Sequence, residues 1–384
     1  MKHILYILPT VGELSQTFIV DEIELVSSSG DISILSMSDY APSDLSVNWK
    51  QISDKYQIDV AVQPSSNIKV SRYSISNLLF KLCRLLVINK SERYYLLWAF
   101  KNIKDKYKTV SHIHCHFAGA NLSLAYALSI LLDVKVSVNF HGYDVREWQI
   151  EKDRLAAICN ETTANFVVSS SQKQKLEQIG VNSESIVVQP VGVNISVKKH
   201  VGANMFEETF RLVSVARLHP IKNHMMALKV LNVLIKKGYS LHYSIIGDGE
   251  TLPELRAFVQ SQSIEKFVTF MGALSHKEAI EAMRQNHVHL LTSIDEGAPT
   301  VVMEAMVHEV LNVCTEVGGV ADLIEHNKSG KLVKSEVELT IVIEELINDR
   351  AQIPSLTKAA YQRACLHFDK QKLVVRKLQF MELK

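Results

Sequence analysis

The sequence predicts an α/β protein with two doubly wound, Rossmann-like domains, and three observations lead to this fold class. Short apolar runs alternate with longer helical patterns, as in βαβ units built on a parallel sheet. The runs are continuously apolar, which is typical of strands covered on both faces. The alternation pauses once, over residues 191–208, and then resumes with a second set of similar size.

Ten short apolar runs are predicted to be the buried strands, five in each half of the chain. They are residues 3–8, 31–37, 136–140, 165–170 and 185–190, followed by 210–218, 241–249, 267–272, 288–293 and 311–316. A helix is predicted between the first two runs. We expect it to end at Gly30, because glycine often follows the last turn of a helix.

The pause in the pattern predicts the domain boundaries. We expect an N-terminal domain over residues 1–190, a linker over 191–208, a C-terminal domain over 209–360, and a final helix over 361–384 that packs back on the N-terminal domain. Parallel sheets bind ligands beyond the carboxyl ends of their strands. The two sets of strand ends are therefore expected to face one interdomain cleft.

Composition and charge argue against several classes of protein. The 384 residues carry a net charge of +1, so no overall positive charge favours nucleic acid as a partner. The five cysteines are scattered without CxxC spacing, which is typical of free thiols in a reducing compartment. The apolar run after Lys2 is too short for a signal peptide, and no run reaches the ~18 apolar residues of a membrane span. A cytoplasmic location is expected.

Residues 69–108 are basic, with ten Lys or Arg against Glu92 and Asp105, and apolar stretches separate the charges. Such a segment can lie on the cytoplasmic face of an anionic membrane and meet a lipid-linked substrate there. It can equally form two surface helices whose lysine stems cover apolar surface. The sequence favours neither interpretation.

Two cations follow the first strand of the second half. Arg217 comes directly after this strand, and Lys222 lies five residues later in the loop. Together they could neutralise an anion such as a diphosphate, although solvated surface charges explain the spacing equally well. Gly247 and Gly249, after the next strand, also allow two interpretations, which are close approach of a nucleotide and an ordinary tight turn.

The segment DEGAPTVVMEAM, residues 295–306, carries the strongest functional signal. Gly297 and Pro299 predict a turn, with Pro299 at the first helical position and a helix from Thr300. The N-terminus of this helix would be an anion site. Glu304 would lie among apolar residues, where an unpaired carboxylate is costly, so a ligand with hydroxyl groups is favoured as its partner over a lysine or the backbone.

The histidines form two patterns. The run HIHCHF places His112, His114 and His116 on one face of a predicted strand. Packing and hydrogen bonding are favoured there over metal binding, because the outer pair would be about 13 Å apart in an extended strand. His141 stands at the end of another strand with a glycine after it, and such a histidine is by itself more often structural than catalytic.

Taken together, these motifs resemble the retaining GT-B glycosyltransferases of family 4. The segments VARLHPIKN, IIGDGE, FMGAL, EGAPTVVMEAM and VGGVADLIEHNKSGKLV occur in the order of that family, and Glu296 and Glu304 match its E-x7-E motif. In the first half, LPTVGELSQTFIVDEI, HIHCHFAG and NFHGYDV resemble the branch that builds colanic acid, capsular polysaccharide and O-antigen repeats. The resemblance covers nearly the whole chain.

The resemblance implies how the second half would bind a nucleotide-sugar donor. The two cations would hold the diphosphate, and Glu304 would bind the ribose. Glu296, which we also name as a catalytic residue, would hold hydroxyl groups of the sugar together with the backbone that follows it. These residues are Arg217, Lys222, Glu296, Gly297, Ala298, Pro299 and Glu304.

Three further positions are carried over from the family. His141 would lie beside the anomeric carbon as the other catalytic residue. Gly12, in the loop after the first strand, would approach the phosphates. The backbone near Leu274 would contact the base.

The resemblance also implies the reaction. A sugar would pass from a UDP- or GDP-linked donor to a lipid-linked surface oligosaccharide, with retention of the anomeric configuration. No D-x-D motif occurs in the chain. We therefore expect no metal and no other cofactor, with two cations and a helix N-terminus stabilising the leaving diphosphate. The alternatives are a sugar-nucleotide epimerase or phosphorylase of similar architecture, and a non-catalytic nucleotide-sugar-binding protein.

The chain departs from the family pattern after EAM. The family has a small residue, then a glycine and then a proline where this chain has Val307, Glu309 and Leu311. The missing glycine at the helix end is expected to cost about 1 kcal/mol of stability. No contact with the donor is expected to be lost.

Overall fold

The computed structural model describes residues 2–11, 17–37, 47–56, 58–60, 106–146, 151–195 and 208–382. The chain divides into two compact units, Met1–Gln189 with Gln371–Lys384, and Pro190–Lys370. The second division falls later than our sequence-based boundary at 360/361. The helix Ile353–His367 belongs to the second unit because its buried face, including Ala360 and Ala364, packs there against Met303.

One parallel sheet of seven strands forms the centre of the first unit. Its order is β3-β2-β1-β4-β5-β6-β7, in which the direction of winding changes between β1 and β4, as in a doubly wound sheet. The strands are β1 (Lys2–Leu8), β2 (Gly30–Ser36), β3 (Ile58–Val60), β4 (His112–His116), β5 (Lys135–Phe140), β6 (Ala164–Val167) and β7 (Ile186–Val188). The described helices that precede residue 190 are α1 (Thr17–Ser27), α2 (Val47–Lys55), α3 (Ala120–Leu132), α4 (Tyr143–Arg146), α5 (Lys152–Asn160) and α6 (Ser170–Gln178).

The second unit is built on a parallel sheet of six strands in the order β10-β9-β8-β11-β12-β13. The strands are β8 (Phe210–Val215), β9 (Leu241–Ile246), β10 (Val268–Gly272), β11 (Val288–Leu291), β12 (Leu311–Thr315) and β13 (Lys331–Val333). The helices are α7 (His224–Lys236), α8 (Leu252–Ser261), α9 (His276–Arg284), α10 (Thr300–Val307), α11 (Val320–Leu323), α12 (Glu336–Asn348) and α13 (Ile353–His367). Every residue of β11 and β12 is buried, as expected for continuously apolar strands.

The last helix, α14 (Lys370–Phe380), contributes to the core of the first unit. Leu378 and, just beyond the helix, Met381 are buried in the same apolar cluster as Tyr6 of β1 and Phe166 of β6. The side chain of Lys377 enters this unit as well and is 5% exposed. The first unit is therefore completed by residues from the far end of the sequence.

The two-unit α/β fold with parallel sheets is confirmed, whereas two local expectations were wrong. Helix α1 ends at Ser27, and Gly30 is the first residue of β2, paired with Lys2. A Cβ atom on Gly30 would lie 2.2 Å from the carbonyl oxygen of Lys2, so glycine at this position allows the two strands to pack closely.

Pro299 precedes α10 as its N-cap and is not the first helical residue. The sequence analysis also missed β3 and β13, which have three residues each.

Some sequence-based expectations concern residues that the structure does not describe. Gly12 lies outside the described residues, and so does the basic segment 69–108 apart from residues 106–108. The four cysteines within the described ranges form no disulfide bond. Among the helices of those ranges, none combines the length and the apolar character that a membrane span requires.

Glu309 occupies the left-handed backbone position that ends α10, with φ of 55°. Its N–H donates to the carbonyl of Met306, and the N–H of Val310 donates to that of Ala305, which is the pattern of a Schellman motif. Glycine adopts this conformation without the steric cost that a Cβ atom brings. Glu309→Gly is therefore expected to raise the free energy of unfolding of the second unit by about 0.5–1 kcal/mol.

Urea denaturation followed by circular dichroism would measure this change. Glu345→Gly is a suitable control, because Glu345 is an exposed residue inside α12, where glycine is expected to lower stability by about 1 kcal/mol. Equal destabilisation by both substitutions would contradict the explanation.

Candidate active site

The carboxyl ends of the parallel strands in the second unit gather the residues that the sequence predicted to bind a donor. Arg217 and Lys222 follow β8, Leu274 follows β10, and Glu296 and Glu304 follow β11. Because the strands are parallel, the loops after them lie along one edge of the sheet. The residues predicted to bind a donor therefore follow strands of one sheet at the same edge.

The loop after β8 is fixed by the glycine turn after β9. The N–H of Leu218 donates to the carbonyl of Asp248 over 2.8 Å. Gly247 and Gly249 have φ of 139° and 152°, and Cβ atoms on them would lie 1.9 Å from the carbonyl oxygen of Ala216 and 2.4 Å from that of Leu218. The tight packing of the two loops alone thus explains why both positions need glycine.

Lys222 and Glu296 are in direct contact. Lys222 Nζ lies 2.5 Å from Glu296 Oε1, and Ser293 Oγ donates to the same oxygen over 2.6 Å. The side chains of Lys222 and Glu296 are 19% and 9% exposed. Within the described residues, Glu296 Oε2 has no hydrogen-bond partner and remains available to a ligand.

Backbone contacts hold the two segments of this ion pair together. The N–H of Ile294 donates to the carbonyl of Ile221 over 2.8 Å, and Thr292 Oγ1 donates to the carbonyl of Asn223 over 2.9 Å. The loops after β8 and β11, which are neighbouring strands, are thereby joined on both sides of Lys222. These bonds consequently hold the backbone segments that carry Lys222 and Glu296 next to each other.

The turn before α10 presents unpaired backbone donors. In the part of the chain that the structure describes, the N–H groups of Gly297 and Ala298 have no hydrogen-bond partner. The first turn of α10 adds further N–H groups that lack partners inside the helix. With the adjacent ammonium group of Lys222, this arrangement is suited to bind an anion or sugar hydroxyl groups.

Glu304 is less buried than the sequence suggested, and its partner was not anticipated. Its side chain is 21% exposed, and Oε1 lies 2.7 Å from Nε2 of His276, the first residue of α9. Among the described residues, neither a lysine nor the backbone donates a hydrogen bond to this carboxylate. No sequence signal singled out His276, which follows Ser275, the N-cap residue of α9.

Leu274 lies two residues before His276, the partner of Glu304. Its half-buried side chain packs in the same apolar cluster as Val301 of α10. Its backbone N–H and carbonyl have no hydrogen-bond partner among the described residues. A planar base could satisfy both groups. The side chain of Arg217 is exposed and forms no ion pair with any described residue.

Gly318 supports the position of Glu296. It has φ of 49°, and a Cβ atom on it would lie 1.9 Å from the carbonyl oxygen of Glu296, which accepts a hydrogen bond from the N–H of Gly319 over 3.0 Å. Gly318→Ala is expected to displace Glu296, to lower stability by about 1–3 kcal/mol and to weaken binding of a sugar ligand.

Gly238→Ala is the matched control for Gly318→Ala. Gly238 also has a positive φ of 91°, but no atom lies within 4 Å of the point that a Cβ atom would occupy there. This variant is expected to lose stability through backbone strain alone and to bind ligands normally. Calorimetric titration would compare the two, and equal ligand affinity in both variants would contradict the proposed support of Glu296.

In the first unit, His141 lies directly after β5 in a loop fixed by Asp144. Asp144 Oδ1 accepts the N–H groups of His141 and Gly142 over 3.0 and 2.9 Å, and Oδ2 accepts that of Ala118 over 3.1 Å. Burial raises the pKa of Asp144 to about 6, although these backbone donors oppose the shift. The aspartate of the HGYD motif is therefore explained as a loop anchor.

The ring of His141 packs against two aromatic side chains. The ring centroids of Phe18 and Phe117 each lie 4.6 Å from that of His141, and its Nε2 is 2.9 Å from His116 Nδ1. Burial lowers the pKa of His141 well below its usual value, and His116 and Lys377 lower it further. His141 is consequently neutral at physiological pH.

The three histidines of β4 are buried and form hydrogen bonds, as expected. Ser137 Oγ lies 2.8 Å from both His112 Nε2 and His114 Nδ1. The sequence analysis did not connect them to Glu22 of α1, whose Oε1 lies 3.5 Å from His114 Nε2 and 3.6 Å from His116 Nε2. Lys377 Nζ in turn contacts Glu22, although 355 residues separate the two in sequence.

The chain matches two glycosyltransferase family models that lie end to end. Residues 56–197 match "Glycosyltransferase Family 4", and residues 198–363 match "Glycosyl transferases group 1". The boundary between the matches is close to the division of the structure into two units.

Individual proteins are similar in sequence or fold. The amylovoran biosynthesis glycosyltransferase AmsK of Erwinia amylovora is 28% identical over 229 residues, which are 57% of this chain and 56% of AmsK. The chain thus spans about half the length of this curated relative. Anabaena HepE in complex with UDP superposes with a TM-score of 0.77 at 15% identity, covering 100% of both chains. Sucrose-phosphate synthase from Thermosynechococcus elongatus gives 0.73 at 14% identity, covering 100% of this chain and 98% of that one. Together, the two family matches and the shared fold show that the chain carries both domains of a family 4 GT-B glycosyltransferase.

Proposed function

We propose that the protein transfers a sugar from a nucleoside-diphosphate donor to a lipid-linked surface oligosaccharide, with retention of the anomeric configuration. The observation that carries the proposal is the Lys222–Glu296 pair beside the unpaired N–H groups of Gly297 and Ala298. A cation and backbone donors suit a diphosphate, while the unpaired carboxylate oxygen of Glu296 suits a sugar hydroxyl group. The similarity to AmsK supports a role in polysaccharide biosynthesis.

In the proposed reaction, the bond between the sugar and the diphosphate breaks. Negative charge then develops on the leaving phosphate and positive charge on the sugar. Lys222, Arg217 and the N-terminus of α10 would stabilise the phosphate. Because protein groups supply this positive charge, we propose that the reaction needs no metal ion.

Glu304 and Leu274 would bind the nucleoside part of the donor. Among the described residues, Oε2 of Glu304 and the backbone groups of Leu274 have no hydrogen-bond partner. The first suits a ribose hydroxyl group, and the second suit the edge of a base. The solved complex of HepE contains UDP, and another contains UDP-glucose, which supports a uridine nucleotide as the first donor to test. His141 would act on the sugar from the first unit.

Incubation of the purified protein with a panel of UDP- and GDP-sugars tests the proposal. We expect slow release of the nucleoside diphosphate and free sugar without an acceptor, unaffected by EDTA, and proton NMR should show that the first sugar released keeps the donor's configuration. Epimerisation of the donor would favour an epimerase. Formation of a sugar 1-phosphate and the nucleoside diphosphate only when inorganic phosphate is supplied would favour a phosphorylase, and binding without turnover a non-catalytic protein. Any of these three results would refute the proposal.

A further inference from the structure

The buried carboxylate of Glu22 lies next to two histidines of β4, and one of these histidines contacts His141. Its Oε1 is 3.5 Å from His114 Nε2 and 3.6 Å from His116 Nε2. Both nitrogens are fully buried and, within the described residues, neither has a hydrogen-bond partner, so their contact with the carboxylate is electrostatic. The opposite nitrogen of His116, Nδ1, is 2.9 Å from His141 Nε2. A continuous path of polar contacts therefore runs from Glu22 through His116 to His141.

Lys377 of α14 keeps Glu22 ionised. Its Nζ lies 2.5 Å from Glu22 Oε2 and 2.8 Å from Asn139 Oδ1. Burial alone would raise the pKa of Glu22, but Lys377 and then His116 outweigh burial and bring it well below its usual value. The carboxylate and the ammonium group balance each other's charge inside the protein.

This charge balance argues against a metal ion in the same place. The ligand atoms of Glu22, His114 and His116 lie within 4.8 Å of one another, which is close enough to hold an ion. A divalent cation would add two positive charges to a buried site in which Lys377 already neutralises the carboxylate. Buried charge without compensation is strongly unfavourable. Protons on the histidines satisfy the site without this excess.

The negative charge of Glu22 decides which nitrogens carry those protons. An ionised carboxylate attracts an N–H group and repels a nitrogen lone pair. His114 and His116 are therefore protonated at Nε2, and His116 Nδ1 is an acceptor. The short contact of 2.9 Å then requires that His141 donates from Nε2. His141, which is neutral, is left with a lone pair on Nδ1.

The neighbouring contacts agree with this assignment, with one weaker exception. His114 Nδ1 accepts from the Ser137 hydroxyl group, which in turn accepts from His112 Nε2. Asn139 Nδ2 lies 3.3 Å from His141 Nε2 and would prefer a lone pair there. This contact is longer and involves no charge, so the carboxylate determines the outcome.

We propose that Glu22 and His116 are positioning residues that hold His141 in the tautomer protonated at Nε2, so that its Nδ1 accepts a hydrogen bond from a hydroxyl group of the bound substrate. Lys377 maintains the relay by keeping Glu22 charged. The identity of the substrate rests on the proposed function, whereas the tautomer is a property of the protein alone. Within the described residues, Nδ1 of His141 has no hydrogen-bond partner.

NMR of protein labelled with 15N in its histidines tests the tautomer directly, with His141→Asn used to identify the His141 signals. We expect a proton on Nε2 in the wild type and a mixture of tautomers in Glu22→Gln, because an amide can donate as well as accept. His112→Gln is the control, since His112 contacts Ser137 but neither His116 nor His141. It should leave the His141 spectrum unchanged. A proton on Nδ1 in the wild type, or an unchanged spectrum in Glu22→Gln, would overturn the proposal.

Glu22→Gln leaves Lys377 without its counter-ion, so the double variant with Lys377→Met checks that loss of fold is not the cause. Both variants should show mixed tautomers and a kcat lower by about 10-fold or more, with KM little changed. Stoichiometric zinc in the purified protein would refute the relay, because a metal needs lone pairs on Nε2 of His114 and His116. If the wild type shows the expected tautomer but transfers no sugar, the proposed function fails and the relay stands.

Discussion

Replacing Lys222 with methionine is expected to lower kcat/KM for sugar transfer by about 10²–10³-fold. Lys222 is one of two cations in the loop after β8, and its ammonium group is held beside the turn that precedes α10. A fixed positive charge at this position needs no rearrangement when the phosphate gains negative charge. Methionine keeps a similar length and removes the charge.

Binding measurements separate two explanations of this loss. Lys222→Met also removes the cationic partner of Glu296, so the proposed sugar site changes as well. If Lys222 acts on the diphosphate, the variant should lose affinity for UDP, whereas Glu296→Gln should bind UDP normally and a UDP-sugar weakly. Lys229→Met, at an exposed position on α7, is the control and should retain full activity. Normal UDP affinity in Lys222→Met would refute the assignment.

Replacing Lys377 with methionine is expected to lower the free energy of unfolding of the first unit by about 3–5 kcal/mol. The side chains of Lys377 and Glu22 are 5% and 11% exposed, so the remaining carboxylate would stay buried without a counter-ion. Adding Glu22→Gln removes this charge and should restore much of the lost stability. Lys372→Met changes an exposed lysine of the same helix and should alter stability by less than about 0.5 kcal/mol.

Tryptophan fluorescence during urea denaturation measures this effect selectively. The three tryptophans of the sequence, Trp49, Trp98 and Trp148, all precede residue 190 and therefore report on the first unit. A change of less than about 1 kcal/mol in Lys377→Met would show that Glu22 finds another partner or becomes protonated.

The sequence predicted those parts of the fold that depend on local pattern. Continuous apolar runs located the longer strands, and the carboxyl ends of β8 and β11 were correctly expected to carry the cations and carboxylates. Strands β3 and β13 were missed because three residues are too few for a recognisable pattern. Gly30 was misread because a glycine after a helix and a glycine at a close strand contact look alike in sequence.

Contacts between distant residues explain what the sequence could not predict. The partner of Glu304 is His276, which lies on another helix, and no periodicity connects the two. In the same way, nothing in the sequence pairs Glu22 with Lys377. The resemblance of motifs identified the family because it depends on many sequence positions at once. The pairing of charges depends instead on how a few residues are arranged in three dimensions.

The placement of α14 affects the order in which the chain can become folded. All residues of the second unit, 190–370, have been synthesised before Lys377 emerges from the ribosome, whereas the first unit still lacks its closing helix at that moment. Until then Glu22 of α1 lacks Lys377 as its counter-ion. A truncation that removes the residues after 370 should therefore destabilise the first unit and leave the second unit folded.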